Sequence, residues 1–452
     1  MMRRVPKVMR LHSDHQRIAK AAFRVAFFLL LGKAAGAFKE MAVAYRYGIS
    51  DAVDAYQFTM VMANWIPVTL VGVFSIVLIP VLVHAKDQPM SLRQRFMGEV
   101  TGLLLGIGLV LALLIWLIWP WVLLWAGKGL NPVVQSMSSE LLWAFAPAAV
   151  LTLLTGLQAA RLRAHERHIN TLLDSVPAFS ILVFVLCAGP TQSVTPLLWG
   201  TLVGYIVQSA SLYYLARRAD GFYAYPRFGF SAQQWPELAH AVGIMLIGQV
   251  AMSFVGPLDQ YTAANLGDNA NATLGYATRF IALMLGVGAA SVGRAALPVL
   301  ADVTRRGDAV RARAIALKWS LFMVLIGLAV ATITAWLAPL GVSLLYERGA
   351  FSAEDTARVS SVLRWGLLQL PFYFGVLILV QLLASQNRYG IMAAIALANF
   401  AAKALMNWYL APKMGVHGIM LATSCMYTVS FICYFIVALK PAAVRVKHAE
   451  PK

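Results

Sequence analysis

An apolar stretch near the amino terminus, residues 29–45, contains three charged side chains. Residues 29–48 read LLLGKAAGAFKEMAVAYRYG, so Lys33, Lys39 and Glu40 interrupt a segment otherwise suited to a membrane-spanning helix. A charge inside the hydrocarbon layer costs about 3 kcal/mol or more, and such residues therefore face protein or a wet cavity. Because cations in a cavity suit an anion such as a phosphate or diphosphate, these residues predict an anion site within the membrane.

A third cation, Arg279, lies near the outer end of the eighth apolar run. We predict that Lys33, Lys39 and Arg279 face one central cavity and contact a diphosphate there. The alternative is internal ion pairing, in which Glu40 neutralises either lysine and Asp54, at the start of the second apolar run, neutralises Arg279. Glu40 and Asp54 are then supporting residues under either interpretation.

The whole chain has the composition of a membrane protein. Of its 452 residues 60% are hydrophobic and only 12% are charged, and the mean hydropathy is +0.71. The apolar runs are about 20 residues long, as a helix needs to cross the bilayer, and no alternating barrel pattern is present. We predict an all-α polytopic protein with about twelve transmembrane helices, near 21–45, 54–84, 98–125, 138–160, 169–189, 194–216, 236–265, 272–301, 314–338, 358–385, 389–411 and 414–439.

The positive charges fall mainly on one side of these predicted spans. Lysines and arginines bring the net charge to +18, and their excess on alternate loops places both termini in the cytoplasm. The basic amino-terminal segment has no small-residue cleavage site, so we expect it to be retained. Nucleic acid is not an expected partner, because the basic groups lack interleaved aromatic residues.

A short internal repeat divides the chain. Residues 79–82 (IPVL) match residues 297–300 (LPVL), and both segments end a span on the basic side. Six spans separate the copies, so the two halves share one orientation in the membrane. We predict two six-helix lobes, 1–220 and 236–452, joined by a cytoplasmic connector at 221–235, with a basic cytoplasmic tail. A cavity between two such lobes is the usual geometry of a carrier.

A second group of polar residues lies deep in the predicted carboxy-terminal lobe. Asp259 in span seven, with Asn407 and Thr423, offers the oxygen ligands that sodium prefers. Lys403 lies one turn before Asn407 on the same helical face, where its ammonium can take the place of a metal ion. We therefore predict an Asp259–Lys403 ion pair that acts as a built-in cation, with no bound metal and no sodium coupling. Plain structural pairing is the alternative.

The connector between spans nine and ten contains the most specific motif. Residues 345–351 read LYERGAF and resemble the signature of the MurJ (MviN) family of lipid II flippases, in the multidrug/oligosaccharidyl-lipid/polysaccharide exporter superfamily. GAFKEMAVAYRYGISDAVDAYQF resembles the family's first-helix pattern, with Lys39 and Glu40 at its Arg-Asp pair. The segments LGYATRF and ALPVL resemble its eighth helix and put Arg279 on a functional arginine.

The resemblance covers nearly the whole chain and implies a function. It implies a transporter, not an enzyme, that needs no cofactor and moves a polyprenyl-diphosphate-linked saccharide to the outer leaflet of the bacterial inner membrane by alternating access. The substrate would be lipid II or a related peptidoglycan or cell-envelope precursor, and membrane lipid and envelope-biosynthesis proteins would be partners. Lysines at 33 and 39 replace family arginines, and Ile66-Pro67 replaces another. The sequence ends after span twelve, where many members continue with two more helices.

Three other interpretations remain open from the sequence. An exopolysaccharide or O-antigen repeat-unit flippase, or a drug/cation antiporter, would share the superfamily, although an antiporter favours acidic cavity residues. A membrane glycosyl or acyl transferase would belong to a different class, but the chain offers no convincing pair of catalytic carboxylates and no phosphate-binding loop. The HERH sequence at 165–168 lacks the spacing of a zinc protease, so we predict a solvated basic loop there.

Overall fold

The computed structural model describes residues 31–440 except 86–87, 166, 168, 190–191, 233, 306–307 and 387, and it leaves out the side chains at 287–299 and at a few other positions. Both predicted cytoplasmic termini lie outside the described residues.

The regular structure of the described residues is entirely α-helical. Helix α1 covers 31–47. The helices that follow are α2 (Asp51–His84), α3 (Met90–Trp125), α4 (Pro132–Ala164), α5 (Asn170–Leu173), α6 (Val176–Cys187), α7 (Thr195–Asp220), α8 (Trp235–Ser253), α9 (Val255–Ala264), α10 (Ala270–Arg305), α11 (Ala309–Tyr346), α12 (Ala353–Leu367), α13 (Leu370–Ser385), α14 (Tyr389–Met414) and α15 (Val416–Leu439).

From the second predicted span onward, each span coincides with one helix or with two consecutive helices. Within the described residues seven helices are long and apolar enough to cross a membrane, and α12 with α13 would make an eighth, bent by 41°. The chain is therefore an all-α, multi-pass membrane protein. The total of twelve crossings remains a prediction.

Three predicted spans are interrupted, and each second piece begins with a proline. Pro177, Pro257 and Pro371 stand at the second or third position of α6, α9 and α13. Proline has no backbone N–H, and its ring displaces the carbonyl of the preceding turn, so it starts a helix more readily than it continues one.

Polar caps fix several helix ends where apolar patterning gives no signal. The Asn131 side chain accepts a hydrogen bond of 2.8 Å from the Val134 N–H at the start of α4. Asp308 caps α11 in the same way, and Ser352 forms a reciprocal capping box with Asp355 at α12. With this cap, α11 begins five residues before its predicted span. It also ends eight residues after that span.

The helices pack into two compact units. The first unit contains the described residues up to Gln249 together with Arg348–Phe351. In it α4 packs against α2, α3 and α7 around a core that includes Leu78, Phe96 and Leu157.

The second unit contains Val250–Glu347 and the described residues from Ser352 onward. In it α13 packs against α10 and α11, and α14 packs against α15. Leu379, Leu383 and Tyr434 are in its core. The predicted lobes at 1–220 and 236–452 stay a prediction.

Candidate functional site

Two of the predicted site residues form an ion pair on α1. The Lys39 ammonium contacts the Glu40 carboxylate, and both residues are buried, at 7% and 8% exposure. Lys39 Nζ also lies 5.9 Å from the centre of the Tyr56 ring on α2, at the edge of the range for a cation–π contact. One predicted internal pair therefore exists, and the binding of a ligand by Lys39 stays a prediction.

Lys33 and Asp54 also lie in the first unit. Lys33 is half-buried on α1, and Asp54 is 2% exposed in the first turn of α2. A carboxylate there complements the positive end of the α2 dipole. Arg279 lies in the second unit, half-buried on α10 beside the buried Phe280. A cavity shared by Lys33, Lys39 and Arg279 stays a prediction.

The second predicted group comes together around one lysine. Lys403 on α14 is fully buried, and its ammonium lies 2.8 Å from Asp259 Oδ1 on α9. It also donates hydrogen bonds to the Ile419 carbonyl, at 2.9 Å, and to Thr423 Oγ1, at 2.6 Å, both on α15. The predicted ion pair is thus confirmed, and the three N–H donors of the ammonium meet three oxygens.

Asn407 completes this group from one turn further along α14. Its Nδ2 donates to Asp259 Oδ1, at 2.8 Å, and lies 3.3 Å from Thr262 Oγ1. A carboxylate, a backbone carbonyl and a hydroxyl oxygen around one positive charge are the ligand types of a hard cation. In this chain an ammonium occupies the centre of that set.

The LYERGAF segment covers the last two residues of α11 and an ordered turn that follows it. Phe351 is 2% exposed, and its N–H donates to the Arg348 carbonyl. Gly349 adopts φ +62°, and the Ala350 N–H donates to the Tyr45 carbonyl at the end of α1 with a length of 2.8 Å. Leu344, in the last turn of α11, is 61% exposed. The motif therefore forms a turn that is hydrogen-bonded to the end of α1.

The solvated loop predicted at 165–168 holds for the exposed Arg167 but not for His165, and Glu166 and His168 lie outside the described residues. Its Nε2 lies 2.6 Å from Asp220 Oδ1, and Arg161 Nε donates to Asp220 Oδ2 at 2.7 Å. Arg161 is only 1% exposed, so His165 contacts a buried ion pair. The Asp220 partner is 55 residues away from His165 in sequence, and therefore no local pattern could reveal it. Among the described residues no cluster of three His, Cys, Asp or Glu side chains could hold a metal ion.

Solved structures share this fold. A structure described as "Lipid II flippase MurJ, inward closed conformation" superposes with a TM-score of 0.79 at 19% identity, over 92% of this chain and 87% of that chain. An inward-facing multidrug resistance MATE family transporter of the MOP superfamily superposes with a TM-score of 0.69 at 14% identity, over 91% and 93% of the two chains. At these identities the likeness establishes the fold alone.

Sequence comparison identifies the family. The "Probable lipid II flippase MurJ" of Synechocystis sp. is 26% identical over 433 aligned residues, which cover 90% of this chain and 78% of the relative. A family model described as "Lipid II flippase MurJ" matches residues 43–449, nearly the whole chain, and this protein therefore belongs to the MurJ lipid II flippase family.

Proposed function

We propose that this protein moves lipid II from the inner to the outer leaflet by alternating access. The family match over residues 43–449 carries the proposal. Its family consists of transporters, not enzymes, with a lipid-linked saccharide as substrate, and the chain is a multi-pass protein of the bacterial inner membrane. The choice of lipid II among such saccharides rests on the relatives, which are described as probable lipid II flippases.

The diphosphate of the substrate, in our proposal, binds Lys33, Lys39 and Arg279. Burial of Lys39 is made possible by Glu40, because a buried cation without a partner is strongly destabilising. A diphosphate that replaces Glu40 as the partner of Lys39 keeps the ammonium paired while substrate is bound. Lysines bind phosphate as point charges, without the two-pronged geometry of arginine.

The Lys403 group, in our proposal, keeps a fixed positive charge where a coupling cation would otherwise be needed. Asp259 and Thr423 hold the ammonium directly, and Asn407 holds Asp259. Because a covalently attached charge cannot dissociate during the cycle, transport does not require sodium. We also propose the predicted orientation, with both termini in the cytoplasm and a basic tail following α15.

A reconstituted flipping assay tests the proposal. Purified protein in liposomes should expose labelled lipid II on the opposite leaflet faster than protein-free liposomes do. Other polyprenyl-diphosphate saccharides and a cationic drug, assayed in the same vesicles, identify the alternatives. Faster movement of a repeat-unit saccharide than of lipid II would favour the polysaccharide alternative, and proton-linked drug export would favour the antiporter.

A further inference from the structure

The segment that follows α7 carries large aromatic side chains on its surface. Tyr225 is 65% exposed, Phe228 is 86% exposed and Phe230 is 67% exposed. The Tyr223 and Tyr225 rings stack at 5.6 Å, and the Arg217 guanidinium covers the Tyr223 ring at 3.3 Å. Residues 223–230, which we term the aromatic loop, therefore offer aromatic and cationic groups together.

The backbone of the aromatic loop is hydrogen-bonded to α3 and packs closely against it. The Arg227 N–H donates to the Gly98 carbonyl at 2.9 Å. A Cβ atom at Gly98 would lie only 2.7 Å from the Tyr225 carbonyl, and one at Gly102 would overlap the Arg227 backbone. The loop backbone thus lies directly against a glycine surface of α3, which side chains at these two positions would block.

Its other end is held by one carboxylate. Glu99 on α3 is 3% exposed and accepts hydrogen bonds of 3.1 Å from the N–H groups of Ser231 and Ala232. It also accepts from Ser231 Oγ at 2.6 Å and from Trp235 Nε1 at 2.7 Å. Because both ends of the loop are fixed, its aromatic rings are exposed in a defined conformation.

The loop side chains point in opposite directions along α3. The Arg227 Cγ and Cδ atoms lie 3.3 Å from the Cβ position of Gly98, whereas the Phe228 ring lies 4.0 Å from that of Gly106. Eight residues of helix separate these glycines, about 12 Å along the axis. The guanidinium stem therefore runs toward the start of α3, and the ring lies toward its apolar part.

The neighbouring surface of α3 is suited to lipid. Leu109, Val110 and Leu113 follow Gly106 and are 56–60% exposed, and α3 is one of the helices long and apolar enough to span a membrane. At the bilayer interface, cations commonly point toward the end of a span and aromatic rings toward its middle. Arg227 and Phe228 have this arrangement beside the amino-terminal part of α3.

We infer that the aromatic loop is a phospholipid-binding anchor beside the amino-terminal part of α3. Phe228 and Phe230 lie among the acyl chains next to the headgroups, and Arg227 pairs with lipid phosphate. Arg227 in the loop and Arg217 on α7 beside it favour anionic phospholipids, since each basic residue near such a surface contributes about 1 kcal/mol. The inference concerns bulk membrane lipid and is independent of which saccharide is transported.

Spin labels in proteoliposomes test where the loop lies. In a variant whose three native cysteines are serines, single cysteines replace Phe228, Tyr225 or the exposed Lys128 of the loop between α3 and α4. Labels at 228 and 225 should be more accessible to oxygen than to a water-soluble nickel complex, with 228 the deeper, and the label at 128 should prefer the nickel complex. Equal nickel access at 228 and 128 overturns the inference, as does immobilisation of 228 by a second copy in a dilution series.

Native mass spectrometry tests the phosphate contact. The Arg227→Ala variant should retain about fivefold less phosphatidylglycerol than the unmodified protein, which is the factor that about 1 kcal/mol produces. Lys128→Ala, which removes an exposed lysine that we expect to face water, is the control and should retain nearly the unmodified amount. Unchanged retention by Arg227→Ala contradicts the phosphate contact. The flipping assay with lipid II is measured separately, so failure of either result can be distinguished from failure of the other.

Discussion

The Ala350 N–H donates a hydrogen bond of 2.8 Å to the carbonyl of Tyr45, 305 residues earlier in the chain. A carbonyl in the last turn of a helix has no partner within that helix, and here the LYERGAF turn supplies one to α1. Gly48 and Gly349 both have positive φ, and a Cβ atom on either would overlap the opposite backbone. The glycine of the motif is thus required by a close approach of two backbones.

Gly349→Ala should destabilise the protein by about 2 kcal/mol, because alanine is strained at positive φ and its Cβ overlaps the Tyr45 carbonyl. Thermal unfolding in detergent measures the loss. Gly189→Ala is the matched control, since a Cβ there meets nothing within 4 Å, and its melting temperature should barely change.

Amide hydrogen exchange should be slow at Ala350, whose N–H is bonded to Tyr45. Exchange across residues 342–352 at the rate of an unfolded peptide would contradict an ordered turn. In Gly349→Ala, exchange at Ala350 should become faster than in the unmodified protein.

Lys403→Met should destabilise the protein by about 3 kcal/mol, because it leaves the Asp259 carboxylate without its buried partner. The double variant Asp259→Asn/Lys403→Met should recover part of the loss, which gives a coupling energy for the pair. Lys413→Met is the control on the same helix, since Lys413 is exposed. Equal losses for Lys403→Met and Lys413→Met would show that the pair stabilises nothing.

Replacement of sodium by potassium on both sides of the vesicles should leave the flipping rate of the unmodified protein unchanged. The reason is that the Lys403 ammonium already occupies the position among the oxygen atoms of Asp259, Ile419 and Thr423 that a sodium ion would take. A rate that rises steeply with sodium concentration would rule out the built-in cation.

Glu99→Gln should loosen the chain between α7 and α8, because an amide cannot accept all the hydrogen bonds that the carboxylate takes from Ser231, Ala232 and Trp235. We expect a loss of about 2 kcal/mol and faster tryptic cleavage after Arg227. Glu354→Gln removes an exposed carboxylate at the start of α12 and should change neither. Unaltered cleavage in Glu99→Gln would mean that Glu99 does not hold the segment.

Helix positions could be predicted because apolar runs have a length fixed by the bilayer, whereas breaks within them could not. Pro177, Pro257 and Pro371 interrupt their spans, yet Pro67 and Pro147 lie inside unbroken helices. Neighbouring helices decide whether the groups freed by a proline are satisfied elsewhere, and that information is absent from the local sequence.

The candidate site could also be predicted only in part from the sequence. The Asp259–Lys403 pair followed from two opposite charges deep in one lobe, where each requires a partner. The roles of Glu99 and Asp220 could not be predicted from the sequence. Glu99 accepts hydrogen bonds from residues at least 132 positions away, and Asp220 contacts His165, which is 55 positions away. A shared cavity for Lys39 and Arg279 remains a prediction from the cost of a charge in lipid.

Lipid II flipping by charge-removed variants in proteoliposomes tests the central claim most directly. Lys39→Ala and Arg279→Ala should each reconstitute in the same amount as the unmodified protein and should lose nearly all flipping, because each removes a cation proposed to hold the diphosphate. Lys128→Ala, which removes an exposed lysine between α3 and α4, should flip at the unmodified rate. Normal flipping of lipid II by both Lys39→Ala and Arg279→Ala would contradict the proposed diphosphate site.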